Sequence, residues 1–263
     1  MSPELFWTHR TALEAAGLEV GFGTFSAAHF LWIAVMAAGI AANAVAYRCG
    51  DSRRRDTIRK ALAFFIILFE IFKQCVMALT GVPVADFLPL ELCSFGEYAL
   101  LADAMWPDGR FLRQPLLYLF LPAAIMALAL PTVAVYPAIN FYTIHQFVLH
   151  AVIAAYVIAR YSAGELRPTY AGIWTSVAKL LPLVAAVYWI DVSFGKSFMF
   201  LTDPYGNPIF DLLWGLAGGR GGLAYVGLLI VFIVIVLHVV YAIFRLIGML
   251  TARCGKTPAS AGQ

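Results

Sequence analysis

Residues 227–244, GLLIVFIVIVLHVVYAIF, hold eighteen positions whose only acidic or basic side chain is His238. As a helix rising ~1.5 Å per residue, this run covers most of the ~30 Å hydrocarbon core of a bilayer. Six further stretches have the same character, so the expected spans are 25–47, 58–80, 87–105, 114–136, 139–160, 171–194 and 223–249. The weakest is 87–105, which carries Glu91, Glu97 and Asp103. Composition agrees. The chain is 62% hydrophobic and 13% charged, whereas soluble domains run ~45–50% apolar and ~25% charged. A water-soluble globule and a disordered chain are both excluded. The expected fold class is an all-α integral membrane protein, a bundle of seven transmembrane helices.

Charge placement orients the bundle. With seven spans, thirteen of the 18 Lys and Arg residues fall on one side, three (Arg10, Lys196, Arg220) on the other, and Lys73 and Lys179 within spans. Positive residues mark cytoplasmic loops, so the amino terminus is expected outside and the carboxyl terminus in the cytoplasm. With 87–105 as a loop, the basic ends at Arg113 and Arg160 would fall on opposite sides. Residues 1–23 form an outer interfacial segment, amphipathic over 3–20, and lack the apolar core of a cleavable signal peptide. Residues 24–250 form the membrane domain, with an outer loop at 195–222, and 251–263 a cytoplasmic tail. A bacterial inner membrane is the expected location. The formal net charge of +3 gives no reason to expect a nucleic-acid partner. The four cysteines (Cys49, Cys75, Cys93, Cys254) lack CxxC spacing, so no zinc site, disulfide framework or other cofactor is expected. Oligomeric state is not legible.

Ionisable groups inside spans are costly and usually face the bundle interior or a watery cavity. His29, Glu70, Lys73, Glu91, Glu97, His145, His150 and Asp191 come from five expected helices, yet all fall from mid-span to the outer end. Ordinary readings exist for each: Glu70 and Lys73 can pair on one helix face, His29 and Asp191 can touch interfacial water, and a lone histidine such as His238 more often bonds a neighbouring helix. Cys93 stands apart from Cys75 and Cys254, which read as small hydrophobes. It follows a helix-opening proline in LPLELCSFGEY and shares a helix face with Glu97. A base or cation is needed to make its thiol nucleophilic. His150 lies at comparable depth on a helix running the same way, and a Cys–His pair there suits acyl transfer through a thioester. His145 is close enough in sequence to be the base instead.

Five motifs, in order, resemble the YwaF-type bacterial integral membrane family and its relative, vertebrate transmembrane protein 164. They are FSAAHF (25–30), LPLELC (88–93), PTV (131–133), QFVLH (146–150) and GKSFMFLTDP (195–204). The resemblance runs from about residue 24 to 249. It implies a lipid acyltransferase whose Cys and His match Cys93 and His150, with a phospholipid or lysophospholipid as substrate. Glu91 departs from the family's His in LPLHLC, Ser197-Phe198 from Asn-Tyr, and Asp191 stands where Asn is common. The leading expectation is therefore an acyltransferase or acyl hydrolase, with Cys93 as nucleophile and His150 as base. His29, Lys73, Glu91, Glu97, His145 and Asp191 are candidates to orient the base or touch substrate, Glu97 or Asp191 as the imidazole's third partner. The opposing class is a transporter or receptor whose polar outer cavity binds a proton or small solute.

Overall fold

The computed structural model describes residues 3–254, so most of the expected tail at 251–263 lies outside the described residues. No strand occurs among them. The helices are α1 (Pro3–Trp7), α2 (Arg10–Ala15), α3 (Ala27–Arg48), α4 (Ser52–Leu79), α5 (Leu92–Met105), α6 (Arg113–Pro115), α7 (Leu121–Ala129), α8 (Phe141–Ser162), α9 (Tyr170–Phe194), α10 (Pro208–Leu216) and α11 (Leu223–Cys254). A π-helical turn, Leu116–Phe120, joins α6 to α7. Six helical stretches are long and apolar enough to cross a membrane: Ala27–Arg48, Ser52–Leu79, Arg113–Val135, Phe141–Ser162, Tyr170–Phe194 and Leu223–Leu250.

The expected span 87–105 differs in form. Only its last 14 residues are helical, ~21 Å of rise. Pro89 offers no amide proton, and residue 88 before it is biased away from helix. Glu91 is extended (φ −75°, ψ 158°) as the N-cap residue of α5. The irregular stretch is held by the protein itself, since Gln74 Nε2 donates to the Phe87 carbonyl at 3.0 Å. The fourth expected span also departs from a regular helix. Pro122 removes a donor one turn above Tyr118, and the ladder widens so that the Leu121 amide reaches the Leu116 carbonyl. A π turn is a common way to absorb such a defect.

Of the six apolar stretches, α8 is the most buried and α3 the least. Alanines on both helices let them approach closely, as small residues do in membranes. A polar group then bridges them, Asn43 Nδ2 donating to the Ala155 carbonyl at 3.1 Å, and Trp32 Nε1 ties α3 to the turn before α8 through the Ala138 carbonyl at 2.9 Å. The far ends of α3, α4, α5 and α8 are tied by ions. Arg160 pairs with Asp103, Arg160 Nε bonds Glu165 at 2.9 Å, and Tyr156 donates to Asp103 at 2.6 Å. Tyr47 donates to Glu165 at 2.8 Å, and Arg59 donates to the Tyr47 oxygen at 3.1 Å.

The amino-terminal segment is two short helices with a break at Thr8-His9, not one amphipathic helix. It docks on the bundle through Asn140, whose Nδ2 donates to the carbonyls of Leu5 (2.7 Å) and Thr8 (3.1 Å). His9 is buried there. Desolvation, then the nearby charges of Arg10 and Lys73, push its imidazole down to about 4, so it is neutral at neutral pH.

Candidate active site

Cys93 lies in the first turn of α5, where Pro89 and the extended Glu91 start the helix inside the bundle. His150 is buried on α8. The two helices run side by side in the same direction, with a constant register. Asp103 on α5 pairs with Arg160 on α8, 57 positions on. Gly96 stands against Ile153 at the same offset: a Cβ there would come within 3.4 Å of Ile153 Cδ1 and 3.2 Å of Phe120 Cδ1. Cys93 and His150 share that offset too, one turn further along the same parallel pair.

Both line a cavity of about 280 Å³ between α5, α7, α8, α9 and α11. Its polar lining residues are Glu91, Cys93, Thr132, Gln146, His150 and Asn207. The remaining wall is apolar, including Met126, Leu130, Val184, Leu229 and Ile233. His150 Nδ1 is 2.7 Å from the Gln146 carbonyl. A carbonyl only accepts, so Nδ1 carries the proton and Nε2 keeps its lone pair. The group that orients the imidazole is thus a main-chain oxygen on its own helix, not Glu97 or Asp191. No hydrogen bond joins Cys93 Sγ to His150 among the described residues.

The other expected residues divide by place. Glu91 lines the cavity, and its carboxylate accepts the Met199 amide at 2.7 Å. Asp191 is buried behind the wall, where both its oxygens lie 3.0 Å from the Phe198 amide nitrogen. His29 lies outside the cavity lining. Its Nδ1 accepts the Phe25 amide at 3.0 Å, and Nε2 donates to the Leu128 carbonyl at 2.9 Å, so both nitrogens are consumed. Lys73 and His145 gather around Glu70, also away from the cavity: Lys73 Nζ is 2.7 Å from Glu70 Oε1, and His145 Nε2 is 3.3 Å from Oε2 without hydrogen-bond alignment. Gln74 Nε2 donates to Glu70 at 2.7 Å. Glu97 is fully buried, and neither carboxyl oxygen has a hydrogen-bond partner.

Residues 195–222 are more built than a plain loop. α10 packs on α11, Trp214 meets Tyr225 edge-on at 5.0 Å, and Phe210 lines the cavity. Met199 (φ 53°) and Phe200 (φ 60°) are consecutive non-glycine residues in the left-handed region, each costing roughly 1–2 kcal/mol. Sequence reading passed over Thr132, Gln146, Asn207 and Phe210. The first two sit in the PTV and QFVLH motifs, so the signal existed; Asn207 precedes a proline that opens α10, which marks a helix start but not a cavity.

Four separated motifs therefore supply one wall: LPLELC, PTV, QFVLH and GKSFMFLTDP all contribute lining residues. The molecule is a polytopic α-helical membrane protein with a largely apolar internal cavity whose lining includes a thiol and an imidazole. The TMEM164 family matches residues 24–247, nearly the whole bundle, and the chain belongs to that family. No characterised protein and no solved structure matches it.

Proposed function

We propose that the protein is a lipid acyltransferase or acyl hydrolase working through a Cys93 thioester. The carrying observation is the shared register of α5 and α8, which sets Cys93 and His150 at one level on the wall of one cavity. His150 Nε2 takes the thiol proton, and the thiolate attacks the ester carbonyl of an acyl chain lying in the apolar part of the cavity. As the tetrahedral adduct collapses, His150 returns the proton to the departing lysolipid oxygen. A second hydroxyl, from a lysolipid or water, then gives up a proton to His150, attacks the thioester and restores the thiol. No electrons change hands.

In this reading α5, with the extended residues before it, serves as the seventh crossing. The amino terminus faces out, and the basic ends face the cytoplasm of a bacterial inner membrane. The cavity then lies in the outer half, level with the ester carbonyls of outer-leaflet lipids. Residues 1–23, 24–250 and 251–263 are the interfacial segment, membrane domain and tail. A second reading, a proton or solute carrier, draws on Glu97, a buried carboxyl without a partner.

The test is intact-mass analysis of protein in phospholipid nanodiscs. A hydroxylamine-labile acyl adduct on Cys93, absent in Cys93→Ser and strongly reduced in His150→Ala, is expected. Absence of the adduct, or its persistence in His150→Ala at the wild-type level, would sink the covalent mechanism.

A further inference from the structure

The segment Lys196–Asp203 runs across one side of the cavity, which Met199, Phe200 and Leu201 line directly. Two acidic side chains from different helices grip its backbone at adjacent amides. Asp191, near the end of α9, takes the Phe198 amide with both oxygens, and Glu91, the N-cap residue of α5, takes the Met199 amide. Carboxylate-to-amide bonds are among the stronger hydrogen bonds, and each here is spent on holding a strap rather than on capping its own helix. What they hold is strained, since Met199 and Phe200 are both left-handed without being glycine. Such a conformation persists only where its surroundings over-determine it, and it clusters at clamps and switches. Further polar ties are the Leu201 amide to the Phe198 carbonyl at 3.1 Å within the strap and, at its ends, Thr202 Oγ1 to the Lys196 carbonyl at 3.0 Å, the Tyr205 hydroxyl to the Ser197 carbonyl at 3.3 Å, and the Lys196 pair with Asp86. Phe200 packs against Phe210, another cavity residue, with ring centroids 4.5 Å apart and the planes tilted by 41°.

We infer that Glu91 and Asp191 are positioning residues that clamp the strap 198–201 as the removable wall of the cavity, so that release of the two amides opens the way to Cys93. The strain at residues 199–200 favours opening, and the paired carboxylates oppose it. Glu91 is thereby given a role distinct from the chemistry: it touches the cavity but acts through Met199. The inference deepens the reading above, because it names what controls access to the thiol. Its test reads access rather than acyl transfer, so either can fail alone.

The experiment uses the full chain in nanodiscs, with two readouts. Hydrogen exchange reports the amides of 198–201, and mass spectrometry reports the rate at which a water-soluble maleimide modifies Cys93. Glu91→Ala and Asp191→Ala should each speed both by about ten-fold or more, the equivalent of losing one hydrogen bond to a charged group. Glu91→Gln keeps an accepting oxygen for Met199 but loses the charge that strengthens the bond, and should fall between wild type and Glu91→Ala in both readouts. Asp191→Asn keeps one of two acceptors and should fall between wild type and Asp191→Ala. Exchange across α8 checks that the bundle is intact; if the alanine variants lose it, the Gln and Asn variants carry the test through their predicted order. Strap amides that exchange at the wild-type rate in every variant would overturn the clamp. Faster exchange with an unchanged Cys93 rate would overturn the wall.

Discussion

The two ends of the α5–α8 pair use polar residues in opposite ways. At the Asp103 end, the Arg160 guanidinium meets Asp103, Glu165 and the Pro107 carbonyl, and the tyrosines Tyr47 and Tyr156 close the network. Four helices are tied there. At the Cys93 end, the same 57 positions separate Cys93 from His150, but the polar groups are open: His150 keeps a lone pair, Cys93 lines a cavity, and Glu97 has no hydrogen-bond partner among the described residues. One parallel helix pair is thus stapled by ions at one end and borders a cavity at the other. In the proposed mechanism, the ion network fixes the register on which the Cys93–His150 pair depends.

Breaking the staple should give the largest effect on stability. Arg160→Ala leaves Asp103 buried without its cation, a change of about 3–5 kcal/mol for a buried pair. The double variant Asp103→Asn with Arg160→Met should lose less than Arg160→Ala, because no orphan charge remains. Thermal unfolding in a mild detergent ranks the two. A double variant that is the less stable of the pair would show that the ions contribute net attraction rather than register.

Removing the base should leave the fold and alter only the open end. In His150→Ala the rate at which Cys93 is modified by an acyl-tailed alkylating reagent should fall about 10²-fold, the lower range for a positioned general base. His145→Ala should change that rate by less than two-fold, because His145 faces Glu70 and not the cavity. The reverse ranking would move the base to His145. Glu70→Ala should cost about 1–3 kcal/mol of stability, since it strands the Lys73 ammonium and takes one of two acceptors from Gln74, a loss that a buried polar cluster feels; an unfolding temperature equal to wild type would show that this cluster is wet.

The membrane class and six long helices were legible because hydrophobicity reports span by span. Proline punctuation was read less well. Pro89 shortens α5 and Pro122 produces the π turn, and both follow from a missing amide proton that a hydropathy window does not see. At the site, depth and direction led to the expectation of Cys93 and His150 at one level, and both line one cavity. Depth alone could not separate residues that share a level but face different neighbours. His29, Lys73, His145 and Asp191 lie in the same band as His150, yet each is absorbed by a local partner: a carbonyl, Glu70, or the strap. The strap's own conformation was not legible, because nothing in SFMFL marks Met199 and Phe200 for the left-handed region.

Glu97 should give the smallest effect and sharpens the contrast most. It lies one turn beyond Cys93 on α5, fully buried, with both oxygens unpartnered. A carboxylate in such a place carries a large desolvation cost, so the neutral acid is the form that the site tolerates. Glu97→Gln then exchanges one neutral polar group for another of nearly the same shape. It should shift the unfolding free energy by less than about 1 kcal/mol, well under the loss from truncating one member of a buried charge pair. Glu97→Leu should be neutral or stabilising, because it removes unsatisfied oxygens from the interior at similar volume. Infrared spectroscopy supplies a second check: a protonated-carboxyl stretch present in wild type should vanish in Glu97→Gln. If Glu97→Leu instead destabilises by as much as Glu70→Ala, Glu97 is bonded through water in the membrane, and the open end of the helix pair is wetter than its side chains alone indicate.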